Sequence, residues 1–182
     1  VLVTPAANAT SVNTNSALTW QSAANASTYR VQLSLSNTFE TTVYNQVTAN
    51  TSFTPTANLS NGTIYYWRVQ GINGTVNGAW SDVRQFTTKL STPAVPVLVS
   101  PVASATEQAF PINFTWNSSA AATHYSIQIS LSSDFSTLVN TESQIAATSF
   151  SFIGNSNTVY YWRVKAYNSD AQSEYSASRS LT

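Results

Sequence analysis

The sequence has no cysteine, no methionine and one histidine, and its 182 residues carry only seven basic and seven acidic side chains. Without cysteine no disulfide can staple the fold, and no thiolate is available as a nucleophile or zinc ligand. Charged residues make up 8% of the chain against a usual ~25%, and the net charge is zero. No electrostatic footprint therefore points to nucleic acid or to an anionic membrane surface. The polar surface must instead come from the abundant Ser, Thr, Asn and Gln. No apolar run approaches the ~18 residues that a membrane span needs, and no signal-peptide pattern is visible. A chain that begins at Val1 and lacks methionine is expected to be a piece of a longer protein, trimmed at domain edges.

What the sequence does contain is one pattern written twice. Tyr65-Tyr66-Trp67-Arg68-Val69 returns as Tyr160-Tyr161-Trp162-Arg163-Val164, 95 positions on. Leu2-Val3-Thr4-Pro5 returns as Leu98-Val99-Ser100-Pro101, Trp20 as Trp116, Tyr29 as Tyr125 and Phe39 as Phe135, each 96 positions on. The period is too long for solenoid or propeller units of ~20–50 residues, so it marks two copies of a small domain. The copies span residues 1–88 and 97–182, with a linker at 89–96.

Helical periodicity is absent, and alternation with period two recurs in short runs, which indicates half-buried strands. In Tyr65, Trp67, Val69 and Gly71 one face is apolar, while Tyr66, Arg68 and Gln70 stand on the other. The same division holds for Tyr160, Trp162, Val164 and Ala166 against Tyr161, Arg163 and Lys165. Tyr29, Val31, Leu33 and Leu35 alternate likewise, as do Tyr125, Ile127, Ile129 and Leu131. Asn61-Gly62, Asn73-Gly74 and Asn77-Gly78 supply turn residues that tolerate positive φ. The expected fold class is all-β: two β-sandwiches in tandem, with about seven strands each.

Each copy runs Pro, Trp, Tyr-x-Val/Ile, Tyr-Tyr-Trp-Arg-Val, an aromatic-Ser pair (Trp80-Ser81, Tyr175-Ser176) and a closing Phe-Thr or Leu-Thr. This order resembles the immunoglobulin-like fibronectin type III domain in the form found in bacterial secreted and cell-surface proteins. The resemblance covers nearly the whole chain, twice. It implies that Trp20 and Trp116 are core residues of strand B, and that Tyr65 and Tyr160 are corner tyrosines of strand F whose hydroxyls bond nearby backbone. It implies an extracellular or cell-surface setting and a monomer whose partners are the other domains of a parent chain. The expected work is non-catalytic: a spacer or display module, for instance of a polysaccharide-degrading enzyme or an adhesin. Two prolines in the stretch 89–96 favour extended geometry, so the copies are expected to lie end to end.

Enzymatic chemistry finds little to work with. His124 is the only histidine, its nearest acid in sequence is Asp134 beyond a whole strand, and the first copy has Thr28 at its position. A nucleophile held by a base and an orienting acid is not built that way. The acids are scattered, only two fall in the first copy, and Asp170 and Glu174 sharing one loop make a poor calcium site. No catalytic, cofactor-binding or metal-binding residue is expected.

The alternative work is weak binding of polysaccharide or cell-surface protein through the outward Tyr/Arg face. Sugar rings dock on exposed aromatic faces. Trp20, Trp67, Trp116 and Trp162 fall on the inward register, so the outward candidates are Tyr66, Arg68, Arg30, Tyr161 and Arg163, with Tyr44 a further aromatic. Arg30 and Gln32 are the expected cross-sheet neighbours of Tyr66. The plain competing explanation is that tyrosine and arginine stems only cover the sheet, with arginine stacked on Tyr or Trp80.

Overall fold

The computed structural model describes residues Val1–Thr182, which form two compact units, Val1–Lys89 and Leu90–Thr182. The first contains β1 (Leu2–Thr4), β2 (Ala9–Val12), β3 (Leu18–Trp20), β4 (Thr28–Ser34), β5 (Tyr44–Thr48), β6 (Ser52–Phe53), β7 (Ile64–Asn73), β8 (Val76–Trp80) and β9 (Arg84–Thr88). One sheet is ordered β1-β3-β6; the other is β2-β9-β7-β4-β5, with β8 added as a hairpin on β7. The period-two pattern explains the packing. Alternate residues of each strand point to one face, and the apolar faces of the two sheets meet. Leu18 and Trp20 from one sheet pack with Tyr29, Val31, Leu33, Tyr65, Trp67, Val69 and Phe86 from the other.

The second unit repeats this with β10 (Leu98–Ser100), β11 (Ile112–Trp116), β12 (His124–Ser130), β13 (Leu138–Ile145), β14 (Ser149–Phe152), β15 (Tyr160–Tyr167) and β16 (Arg179–Leu181). Its sheets are ordered β10-β11-β14 and β13-β12-β15-β16. Trp67 and Trp162 are wholly buried at the centres of the two cores. The first unit has nine strands where seven were expected. The two extra ones are β2, which pairs β9 in parallel, and β8.

The proline-bearing stretch is laid against the second unit from Leu90 onward. The Leu90 amide donates to Asp170 Oδ2 at 2.7 Å, Asn168 Nδ2 to the Ser91 oxygen at 2.9 Å, and the Ala94 amide to the Ala120 oxygen at 3.1 Å. Pro93 and Pro96 are buried there.

Two tyrosines per unit close their loops in the same way. The Ser60 amide donates to the Tyr65 hydroxyl at 3.0 Å and the Asn155 amide to Tyr160 at 2.8 Å, which are the expected corner bonds. The Ala23 and Ser119 amides likewise donate to Tyr29 and Tyr125 at 3.1 and 2.9 Å. Gly154 is required beside one corner, because a Cβ there would lie 2.9 Å from the Tyr160 ring and hydroxyl.

Three expectations need correction. Leu35 and Leu131 do not continue the inward row; they are 58% and 44% exposed. The strands end one residue earlier, at fully buried Ser34 and Ser130, whose hydroxyls donate to the Thr41 and Thr137 oxygens at 2.7 and 2.8 Å. Asn77-Gly78 is not a turn but lies inside β8; the hairpin turn is at Gly74, with φ 58°, and Gly62 is the other positive-φ glycine.

Candidate functional site

The outward candidates stand on β4 and β7 and on their counterparts β12 and β15. Cross-strand register places Ser34 opposite Tyr66, Gln32 opposite Arg68 and Arg30 opposite Gln70. Tyr66 therefore has Ser34 on one side and, from β9, Gln85 on the other, in place of the expected Arg30 and Gln32. Tyr66 and Arg68 share the face two residues apart, while Arg30 lies further along and reaches Asn45 Oδ1 at 3.4 Å. Tyr66 is half-buried beside a depression of about 430 Å³ lined with Asn8, Asn37, Arg84 and Gln85.

Arg68 is closed into a stack. Its guanidinium carbon lies 4.1 Å from the Phe39 ring centroid and 4.3 Å from that of Trp80, and Nε donates to Gln32 Oε1 at 2.9 Å. Burial pushes its pKa down from the usual arginine value. Arg163 repeats the arrangement: 3.9 Å from Phe135, 4.2 Å from Tyr175, with Nε and Nη2 donating to Gln128 Oε1 at 2.9 and 2.8 Å. The guanidinium sits between two ring faces, where the quadrupoles of both attract it. Tyr161 stands between Ser130 and Ser180 and gathers no cation of its own.

Tyr44 turns toward the core edge, contrary to an outward role. Its ring meets Phe53 edge-on at 5.3 Å, and its hydroxyl accepts the Ala57 amide at 3.1 Å. Bonding to the Thr56 hydroxyl and the Ala57 backbone lowers its pKa from the usual tyrosine value.

A second pair of arginines was not singled out from sequence. Arg84 Nη1 donates to the main-chain oxygens of Val3 and Pro5 at 2.9 and 3.0 Å, and Nη2 to that of Leu2 at 2.8 Å. Arg179 does the same with Val99, Pro101 and Leu98 at 2.8, 3.0 and 2.7 Å. The available signal was their recurrence at the repeat spacing of 95, next to the recurring prolines.

His124 bonds Thr123 Oγ1 through Nδ1 at 2.8 Å and stacks on Tyr167 at 5.7 Å and 16°. The carboxylate of Asp134 is taken up by its own loop, accepting from the Ser136 amide and hydroxyl at 3.0 and 2.8 Å. Asp170 accepts the Leu90 amide. No three His, Cys, Asp or Glu side chains gather where they could share a metal ion.

No protein-family model and no curated protein matches the chain. Among solved structures it is similar to a two-domain fibronectin type III segment of chicken tenascin, at 15% identity over 100% of this chain and 97% of that one, TM-score 0.44. It is similar to the fibronectin(III)-like modules of Clostridium thermocellum CbhA, at 14% identity over 100% and 92%, TM-score 0.42. The FN1–FN3 domains of chicken CNTN1 align at 15% identity over 96% and 67%, TM-score 0.41. The strand order within each unit defines the class: two immunoglobulin-like β-sandwiches in tandem.

Proposed function

We propose that the chain is a non-catalytic spacer and display module of a larger extracellular or cell-surface protein. One observation carries this reading. Two cations at matching places on the outward face, Arg68 and Arg163, are already committed inside the fold, and in the same way in both copies. Arg68 and Arg163 each lie between two rings and bond a glutamine of the next strand. A ligand there would have to displace contacts that each sandwich already makes. Such a module holds neighbouring domains apart and presents them, and its partners are those domains.

The test is a pull-down of the chain on insoluble chitin, cellulose and debranched xylan, with the Tyr66→Ala/Tyr161→Ala double variant in parallel. Parent and variant both remaining in solution is the expected result. Retention of the parent that disappears in the variant would replace the spacer reading with a binding surface on the strand-F face.

A further inference from the structure

The two sandwiches differ at one cross-strand pair. In the first, Arg30 stands opposite Gln70; in the second, Ser126 stands opposite Lys165. The exchange moves the cation to the neighbouring strand and puts a short side chain where a long one lay. Arg30 reaches over its sheet to Asn45. Ser126 instead turns down, is buried, and donates to the Glu142 main-chain oxygen at 2.9 Å. Above it a groove of about 480 Å³ opens, lined by Ser126, Thr141, Ser143, Lys165, Tyr167 and Tyr175.

The lining fixes the chemistry of an occupant. Lys165 Nζ donates to Gln172 Oε1 at 2.8 Å and lies 5.1 Å from the Tyr175 centroid, so both of its partners are neutral. No carboxylate lines the groove, which leaves a cation without a counter-charge. Both rings are held in advance. Tyr167 accepts the Gln144 amide through its hydroxyl and is backed by His124, while Arg163 lies against the Tyr175 ring. The hydroxyls of Thr141 and Ser143 stand along the wall. The main chain of β12 at the floor is spent on both sides, in pairing with β13 and β15, so an extended peptide finds no ladder to join inside the groove.

Rings, hydroxyls, one amide and one uncompensated cation suit a pyranose with an acid group. Its apolar C–H face packs on a phenol ring, its hydroxyls meet Thr141, Ser143 and Gln172, and its carboxylate meets the ammonium. We infer that the groove on the second sandwich binds a hexuronate unit of an acidic polysaccharide, with Lys165 against the carboxylate and the sugar ring against Tyr167. This goes beyond the spacer reading and shares with it only Tyr175, which lines the groove, and Arg163, which lies against that ring.

The test is an NMR titration of the ¹⁵N-labelled full chain with tri-galacturonic acid, alongside neutral maltotriose and a tri-glutamate peptide. Expected are shifts confined to the amides around Ser126, Thr141, Lys165 and Gln172, with maltotriose binding more weakly. Lys165→Gln should weaken the uronate at least roughly tenfold, the scale of one charge-assisted hydrogen bond. Ser126→Arg should refill the groove and abolish binding. The first sandwich carries Gln70 and Arg30 at these places, and unchanged melting of both variants confirms intact folds. Scattered or absent shifts, undiminished binding by Lys165→Gln, or equal affinity for the acidic peptide would each overturn the assignment.

Discussion

Arg84 donates through Nη2 to the main-chain oxygen of Leu2 at 2.8 Å, tying the last strand of the first sandwich to its first. With Nη1 on Val3 and Pro5, one fork satisfies three carbonyls where the chain passes from β1 toward β2. Arg84→Ala is expected to destabilise the first unit by about 2 kcal/mol, the order of the loss when a charged donor leaves carbonyls unpaired. Arg84→Lys should recover less than half of that, because a single ammonium cannot span the three acceptors. Urea denaturation checks both. A lysine variant as stable as the parent would show that fork geometry contributes nothing.

Neighbouring residues on β7 should behave in opposite ways. Trp67 is wholly buried, and Trp67→Ala should cost ~3–5 kcal/mol as a large-to-small core change. Tyr66 lies on the outer face, and Tyr66→Ala should cost less than about 1 kcal/mol. Comparable melting of the two variants would contradict the division of this strand into inner and outer faces.

Period-two alternation made that division legible, and the matched landmarks made the tandem legible, because both depend on residue type at fixed spacing. The corner tyrosines followed from the family resemblance, and each forms its bond. What local pattern could not show was where a strand stops. Leu33-Ser34-Leu35 reads as continued alternation, yet the Ser34 hydroxyl finds the Thr41 oxygen, and the chain turns there with Leu35 outside. Arginine stacked on Trp80 or on a tyrosine was legible as the competing explanation of the outward face, and both stacks form; the second ring of each stack was not. Phe39 and Arg68 are far apart in sequence; Phe39 sits in a turn at positive φ, 57°, with its ring over the guanidinium. Register errors are of the same kind: Arg30 was expected beside Tyr66 but sits opposite Gln70, since alternation fixes faces and not pairing.

The stacks should differ in strength between the copies. Trp80 flanks Arg68 where Tyr175 flanks Arg163, and tryptophan offers a cation the better face. Double-mutant cycles pairing Arg68→Met with Trp80→Ala, and Arg163→Met with Tyr175→Ala, measure each coupling apart from lost packing. We expect about 1–2 kcal/mol for the first pair and a smaller value for the second. Zero coupling at Arg68–Trp80 would mean that the rings only cover the arginine stem, and that its cation is free to meet a ligand.

Asp134 provides a pH-dependent contact that the first copy lacks, since Thr38 occupies the corresponding position. Bonding from the Ser136 backbone amide, then from the Ser136 and Ser132 hydroxyls, lowers its pKa from 3.8 to about 2. A depressed carboxyl pKa means that the ionised form is favoured in the folded state. Its stabilisation of this turn is therefore full above the unfolded value of 3.8 and is lost as pH falls through about 2. The Ser136 amide chemical shift, followed by NMR between neutral pH and acid, should titrate with a midpoint near 2, and Asp134→Asn should remove that titration. A midpoint near 3.8 would show that the serine bonds do not hold the carboxylate in solution, and the turn would then owe its shape to the Phe135 backbone and its packing against Arg163.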